Sequence, residues 1–211
     1  MKMNLPNKLT VLRLIMVPIF MVVMLIPVLA NVSPVTDTVL TLVGAFLFIA
    51  ASLTDMLDGK IARKYNLVTD FGKFLDPLAD KFMVIGALVC IFLKSAFSGN
   101  KIMTTVYFFS LVIIIFRELA VTSIRLVAAS GKEKVVIAAN MLGKIKTVTQ
   151  IIAICAALIE PALLGAFEGV PEALLNYPPI TCVFTILMIY FTIHSGINYI
   201  AGAWKYLDPE K

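Results

Sequence analysis

Six long apolar stretches alternate with short polar segments along the chain, at about 10–30, 38–62, 74–93, 103–126, 146–166 and 180–203. Each is long enough, as a helix, to cross about 30 Å of hydrocarbon. The pattern predicts an all-α, polytopic membrane protein with six transmembrane helices, in a single domain over residues 1–211. Residues 5–13, with Pro6, Asn7, Lys8 and Arg13, predict a short interfacial lead-in. The first apolar run ends at Val28-Leu29-Ala30, which has the look of a signal-peptide cleavage site. At about 17 residues, with Pro18 and Pro27 inside, it exceeds the usual apolar core of such a peptide and predicts a retained first span. No internal repeat or low-complexity segment is visible.

Composition agrees: 60% of residues are hydrophobic and only 15% charged, where a soluble domain needs roughly a quarter charged. The net charge of +5 does not indicate a nucleic-acid partner, because the basic residues flank the apolar runs rather than massing in a tail or stripe. Segments 31–37 and 167–179 carry no Lys or Arg, whereas Lys8, Lys60, Arg63, Lys73, Arg125, Lys132, Lys134 and Lys144 fall on the opposite side. The positive-inside rule therefore puts both termini on the cytoplasmic side, in the inner (cytoplasmic) membrane. Cys90, Cys155 and Cys182 lie in apolar runs without paired spacing and read as small buried hydrophobes.

Asp55, Asp58, Asp76 and Asp80 crowd the segment joining the second and third spans. Carboxylates in or at a bilayer cost about 2.5–3.5 kcal/mol each, on the order of 10 kcal/mol for four left unpaired, so something cationic must sit among them. Asp55, Asp58 and Ala62 share one face of the second helix, and Gly72, Asp76 and Asp80 one face of the third. If these two antiparallel faces oppose, the four carboxylates converge at one depth at the cytoplasmic surface. Carboxylates without His or Cys suit two hard divalent cations, Mg²⁺ or Mn²⁺, of the kind that stabilise attacking and leaving oxygens in phosphoryl transfer. Gly59, Ala62 and Gly72 remove bulk so that a ligand can approach the helix backbone. Arg63 offers a fork for a phosphate oxygen. Asp70 is expected to be solvated, capping the third helix.

The window fills every fixed position of D-x2-D-G-x2-A-R-x8-G-x3-D-x3-D, and the chain resembles the CDP-alcohol phosphatidyltransferase family throughout. The resemblance implies a bilayer-embedded enzyme, working as a homodimer with two divalent ions, in which an alcohol hydroxyl attacks a CDP-linked lipid and releases CMP. It implies that Asp55, Asp58, Asp76 and Asp80 bind the metals and that Asp80 is also the general base. Gly59, Ala62, Arg63 and Gly72 look like the nucleotide-cradling positions, joined by the N-terminal Asn7 and Thr10.

A second set of charges is expected to bind the acceptor. Arg117 and Arg125 lie eight residues apart on roughly one helix face, which puts Arg117 about 12 Å deeper. At that depth an arginine faces a polar cavity or an acidic partner. Lys144 and Lys146 open the fifth span from the same side, and four cations near a helix start fit a phosphorylated acceptor. Lys132 and Lys134 read as anchors to lipid headgroups. "FRELAVTSIR" and "LGKIKTVTQ" are similar to the family branch that joins CDP-diacylglycerol to sn-glycerol 3-phosphate, although Ser123 stands where glycine is expected. Competing readings are the same donor with inositol phosphate, serine or phosphatidylglycerol, and a divalent-cation transporter. His194 reads as a packed, hydrogen-bonded helix histidine, and Tyr199, Trp204 and Tyr206 as an interfacial belt.

Overall fold

A computed structural model describes residues 3–30, 32–65, 67, 69–130 and 141–204. Lys132, Lys134 and Tyr206 lie outside the described residues. The elements are α1 (Leu5–Leu29), α2 (Pro34–Lys64), α3 (Asp70–Ser98), α4 (Lys101–Ser130), α5 (Met141–Leu164), the short α6 (Glu172–Asn176) and α7 (Pro179–Ala203). Six of them are long and apolar enough to cross a membrane, as the hydrophobic pattern predicts. The described residues contain no strand.

Helices outrun the apolar stretches because polar caps add turns beyond the hydrocarbon. Asn4 accepts a hydrogen bond from Asn7 N at 3.0 Å, with Pro6 in the first turn. Ser33 caps α2 in front of Pro34. Thr69, rather than Asp70, caps α3 by accepting from Gly72 N at 3.1 Å; Asp70 is exposed and pairs with Lys73. Gly99, at φ 82°, ends α3 in the left-handed conformation and delivers Asn100 to cap α4 at Met103 N. α7 has no cap of its own; Glu160 of α5 accepts from Ile180 N and Thr181 N at 3.0 and 2.6 Å. A neighbouring helix thus supplies the missing acceptor.

The spans pack as a closed ring in the order α1, α2, α5, α7, α4, α3. α1 lies between α2 and α3, which touch each other little. The lead-in expected over residues 5–13 is the start of α1 itself. Its polar face, Asn7, Thr10 and Arg13, is buried against α2 and α3 instead of lying along the interface.

Small residues let the helices approach: Ala45, Ala51, Ala79, Ala87 and Ala153 are all buried. Gly44 is the tightest case, because a Cβ there would meet Met24 Sδ at 2.5 Å. Between them pack Phe20, Met24, Phe48, Leu88, Ile154, Leu158 and Met188, while large apolar side chains such as Phe46, Phe109 and Ile186 point outward. Buried hydroxyls return their protons to the helix, as Ser110 does to Val106 O at 2.7 Å. Cys90, Cys155 and Cys182 are free thiols among these apolar groups. At the end far from the aspartates, Lys94 bridges α3 to Asp37 of α2 at 2.6 Å and also reaches Thr41.

Candidate active site

Three residues of α1 organise the aspartates. Asn7, Thr10 and Arg13 follow one another at three-residue steps along one face. Arg13 is fully buried, and its guanidinium NH1 lies 2.6 Å from Asp55 Oδ1 and 2.8 Å from Asp80 Oδ1. NH2 pairs with Asp58 Oδ2. Thr10 donates to Asp76 Oδ1 at 2.7 Å. The four carboxylates therefore do assemble, but around side chains of α1 rather than by direct apposition of α2 and α3. Arg13 is the cation that the intramembrane carboxylates require.

One guanidinium does not neutralise four carboxylates; formally three negative charges remain. Burial is uneven. The Asp58 side chain is 5% exposed, Asp55 34% and Asp80 51%, so the cluster has a closed floor and an open mouth. An all-carboxylate donor set of this charge fits Mg²⁺ or Mn²⁺. As they stand, however, no three acidic, His or Cys side chains among the described residues are placed to hold one ion. Asp55, Asp58 and Asp80 are turned onto Arg13 instead.

The end of α1 also fastens the turn between α2 and α3. Asn4 Nδ2 donates to Leu67 O at 2.8 Å, and Thr69 Oγ1 donates to Asn7 Oδ1 at 3.1 Å. Gly72 also leaves room for protein, because side chains of α1 and of the α2–α3 turn close over it. A Cβ there would stand 3.0 Å from Asn7 Oδ1 and 3.3 Å from Thr69 Oγ1. Gly72→Ala should cost about 1–3 kcal/mol by overpacking, seen as a lower melting temperature, and Asn7→Ala in the same chain should recover part of the loss. A melting temperature unchanged in Gly72→Ala would dismiss the steric argument. Gly59, by contrast, is open except for the Arg63 guanidinium at 3.7 Å, and Ala62 is half-buried beside it.

The second expected constellation divides. Arg117 NH1 donates to Glu118 Oε1 at 2.9 Å, and Lys146 Nζ of α5 reaches the same oxygen from across the ring. Lys146 is buried, and the Arg117 Nε has no hydrogen-bond partner. Glu118 is thus the acidic partner that the depth of Arg117 demands, and its adjacency to Arg117 was the available signal. Gly196 of α7 gives the Arg117 stem room, since a Cβ there would stand 3.2 Å from Arg117 Cγ. Arg125 stands apart: its Nε donates to Tyr199 OH at 2.8 Å and its guanidinium lies over that ring. Tyr199 is consequently buried, not part of an interfacial belt, whereas Trp204 is exposed. Lys144 is exposed. His194 stacks on Tyr190 at 5.8 Å and is exposed, so it is packed on a ring rather than in the core. Lys81, next to Asp80, donates to Thr122 of α4 at 2.8 Å and ties the aspartate side of the ring to the cation side.

Comparison with known proteins agrees with the geometry. The sequence model of CDP-alcohol phosphatidyltransferase matches residues 3–204. A Bacillus subtilis (strain 168) protein named CDP-diacylglycerol–glycerol-3-phosphate 3-phosphatidyltransferase is 42% identical over 207 residues, covering 97% of both chains. Relatives of the same name from Rickettsia bellii, 38% identical over 96% of this chain and 97% of theirs, and from Mycoplasma genitalium, 37% identical over 94% and 83%, also align. With its aspartates gathered at one end of a ring of membrane-length helices, and with matches that run nearly its whole length, the chain belongs to the CDP-alcohol phosphatidyltransferase family and is an enzyme of that type.

Proposed function

We propose that the enzyme transfers the phosphatidyl group of CDP-diacylglycerol to sn-glycerol 3-phosphate, giving phosphatidylglycerol phosphate and CMP. The observation that carries this reading is the pairing of two charged centres at one end of the ring, the aspartates on α2 and α3 and the cations of α4 and α5. The names of the relatives support the same pair of substrates.

The acceptor's hydroxyl oxygen bonds to the lipid-side phosphorus as the bond from that phosphorus to the bridging oxygen breaks. CMP leaves with the bridging oxygen, and the hydroxyl proton passes to Asp80, the most exposed carboxylate bound to Arg13. Two Mg²⁺ or Mn²⁺ ions, held by Asp55, Asp58, Asp76 and Asp80, would supply Lewis-acid polarisation of the phosphoryl oxygens when bound. Arg117 and Lys146 hold the acceptor phosphate, with Lys144 and Arg125 nearer the surface. Gly59, Ala62 and Arg63 contact the cytidine diphosphate, over a floor shaped by Asn7, Thr10 and Gly72. Charge bias in the loops supports a cytoplasmic site with both termini on that side, in the inner membrane. The homodimer is part of the same proposal, and outward aromatics such as Phe109 and Tyr190 offer it apolar surface.

Purified protein with Mg²⁺ or Mn²⁺ should release CMP from CDP-diacylglycerol only when glycerol 3-phosphate is present. Release driven by serine, inositol phosphate or phosphatidylglycerol instead would overturn the acceptor. Metal flux into sealed vesicles without lipid turnover would favour the transporter, a reading that the unbroken α2 and α3 do not support.

A further inference from the structure

We infer that Arg13 is a resident counter-cation that holds the aspartate cluster together in the metal-free enzyme and competes with divalent ions for the same carboxylates. The inference rests on the metal assignment proposed above and adds to it a residue that sets how tightly the ions bind.

Three observations meet on this side chain. Arg13 has no exposure, and its two terminal nitrogens engage Asp55, Asp58 and Asp80, one carboxylate from each of three turns on two helices. Its Nε has no partner. Each contact takes up a carboxylate oxygen that a divalent ion would also need. A buried fork bonded to three carboxylates is the arrangement expected when one cation must stand in for others.

The charge count gives the direction of the effect. Four carboxylates and one guanidinium carry a formal charge of −3, and without the guanidinium the same carboxylates carry −4. Dications enter the cluster lacking Arg13 more favourably on two grounds: a like charge is gone, and the oxygens need not first be turned away from a guanidinium. The cost falls on the metal-free state, where carboxylates packed beneath α1 lose their partner. Arg13 is thus a positioning residue, acting on substrate chemistry only through the carboxylates it restrains.

A Mn²⁺ titration followed by electron paramagnetic resonance, on the full chain in detergent, reads this directly. Arg13→Gln should bind Mn²⁺ tenfold or more tightly than wild type. It should melt well below wild type in EDTA, and saturating Mn²⁺ should close most of that gap. Arg13→Lys, which keeps the charge but not the fork, should fall between the two and serves if Arg13→Gln does not fold. A purely structural arginine predicts the opposite sign, weaker Mn²⁺ binding in both variants. Equal or weaker binding overturns the inference even if wild type binds metal and turns over substrate normally. Absence of Mn²⁺ binding by wild type and variants alike sinks it together with the metal assignment, so the wild-type titration tells the two failures apart.

Discussion

Asp80→Asn is expected to lower the rate of CMP release by about 10³-fold, in the middle of the range for losing a general base. The substitution keeps the size of the side chain and leaves an amide oxygen that can still accept from Arg13, where the carboxylate now does so at 2.8 Å. The amide has no lone pair of sufficient basicity to take the hydroxyl proton. Asp80 is also the most exposed carboxylate bound to Arg13, so the fold depends on it less than on Asp58, and the variant should melt within a few degrees of wild type. Turnover within tenfold of wild type, in protein of normal helicity, would remove Asp80 from the proton-accepting role. The same substitution at Asp58, which is nearly inaccessible, should instead lower stability together with activity, since it removes a charged partner from a fully buried arginine.

Arg117→Ala is expected to raise the apparent KM for glycerol 3-phosphate about 10- to 100-fold, with the KM for CDP-diacylglycerol unchanged. A charge-assisted hydrogen bond is worth about 1.5–3 kcal/mol, and about 1.4 kcal/mol is a factor of ten. The geometry lets this be read cleanly. Glu118 Oε1 is shared by Arg117 and Lys146, so removing one cation leaves the buried carboxylate paired with the other. Lys146→Met should behave in the same way for the same reason. Removing both strands Glu118 in an apolar setting, and the double variant should lose about 3–5 kcal/mol of stability, more than the two single losses added. Initial rates over a matrix of both substrates, with melting curves alongside, test the set. A change confined to the lipid KM would move Arg117 out of the acceptor site.

The hydrophobic pattern was enough to place six spans, because membrane thickness sets a length that short soluble elements do not have. The aspartate window was equally legible, since its spacing fixes which carboxylates share a face. What periodicity does not encode is which helix a face meets. Asn7, Thr10 and Arg13 lie on one side of α1 in the sequence as clearly as the aspartates do on α2 and α3, yet only the packing reveals that α1 is inserted between those two helices. Arg13 therefore reads from sequence as part of an interfacial lead-in, although the cost of four carboxylates already demands a cation. Gly72 shows a related limit: a missing side chain leaves space, and the sequence does not say that Asn7 and Thr69 border it. Arg125 and Tyr199 are separated by 74 positions, so their stacking left no local trace. α6 is too short to carry a hydrophobic period.

The insertion of α1 between its neighbours has a consequence for biosynthesis. α1 precedes Asp55, Asp58 and Asp80 in the chain, so it is synthesised before the carboxylates that its arginine pairs with. An arginine in an apolar span without those partners is costly to insert. The first three spans therefore depend on one another for their charge balance, and a fragment ending before Asp80 would lack one of the three carboxylates that pair with Arg13.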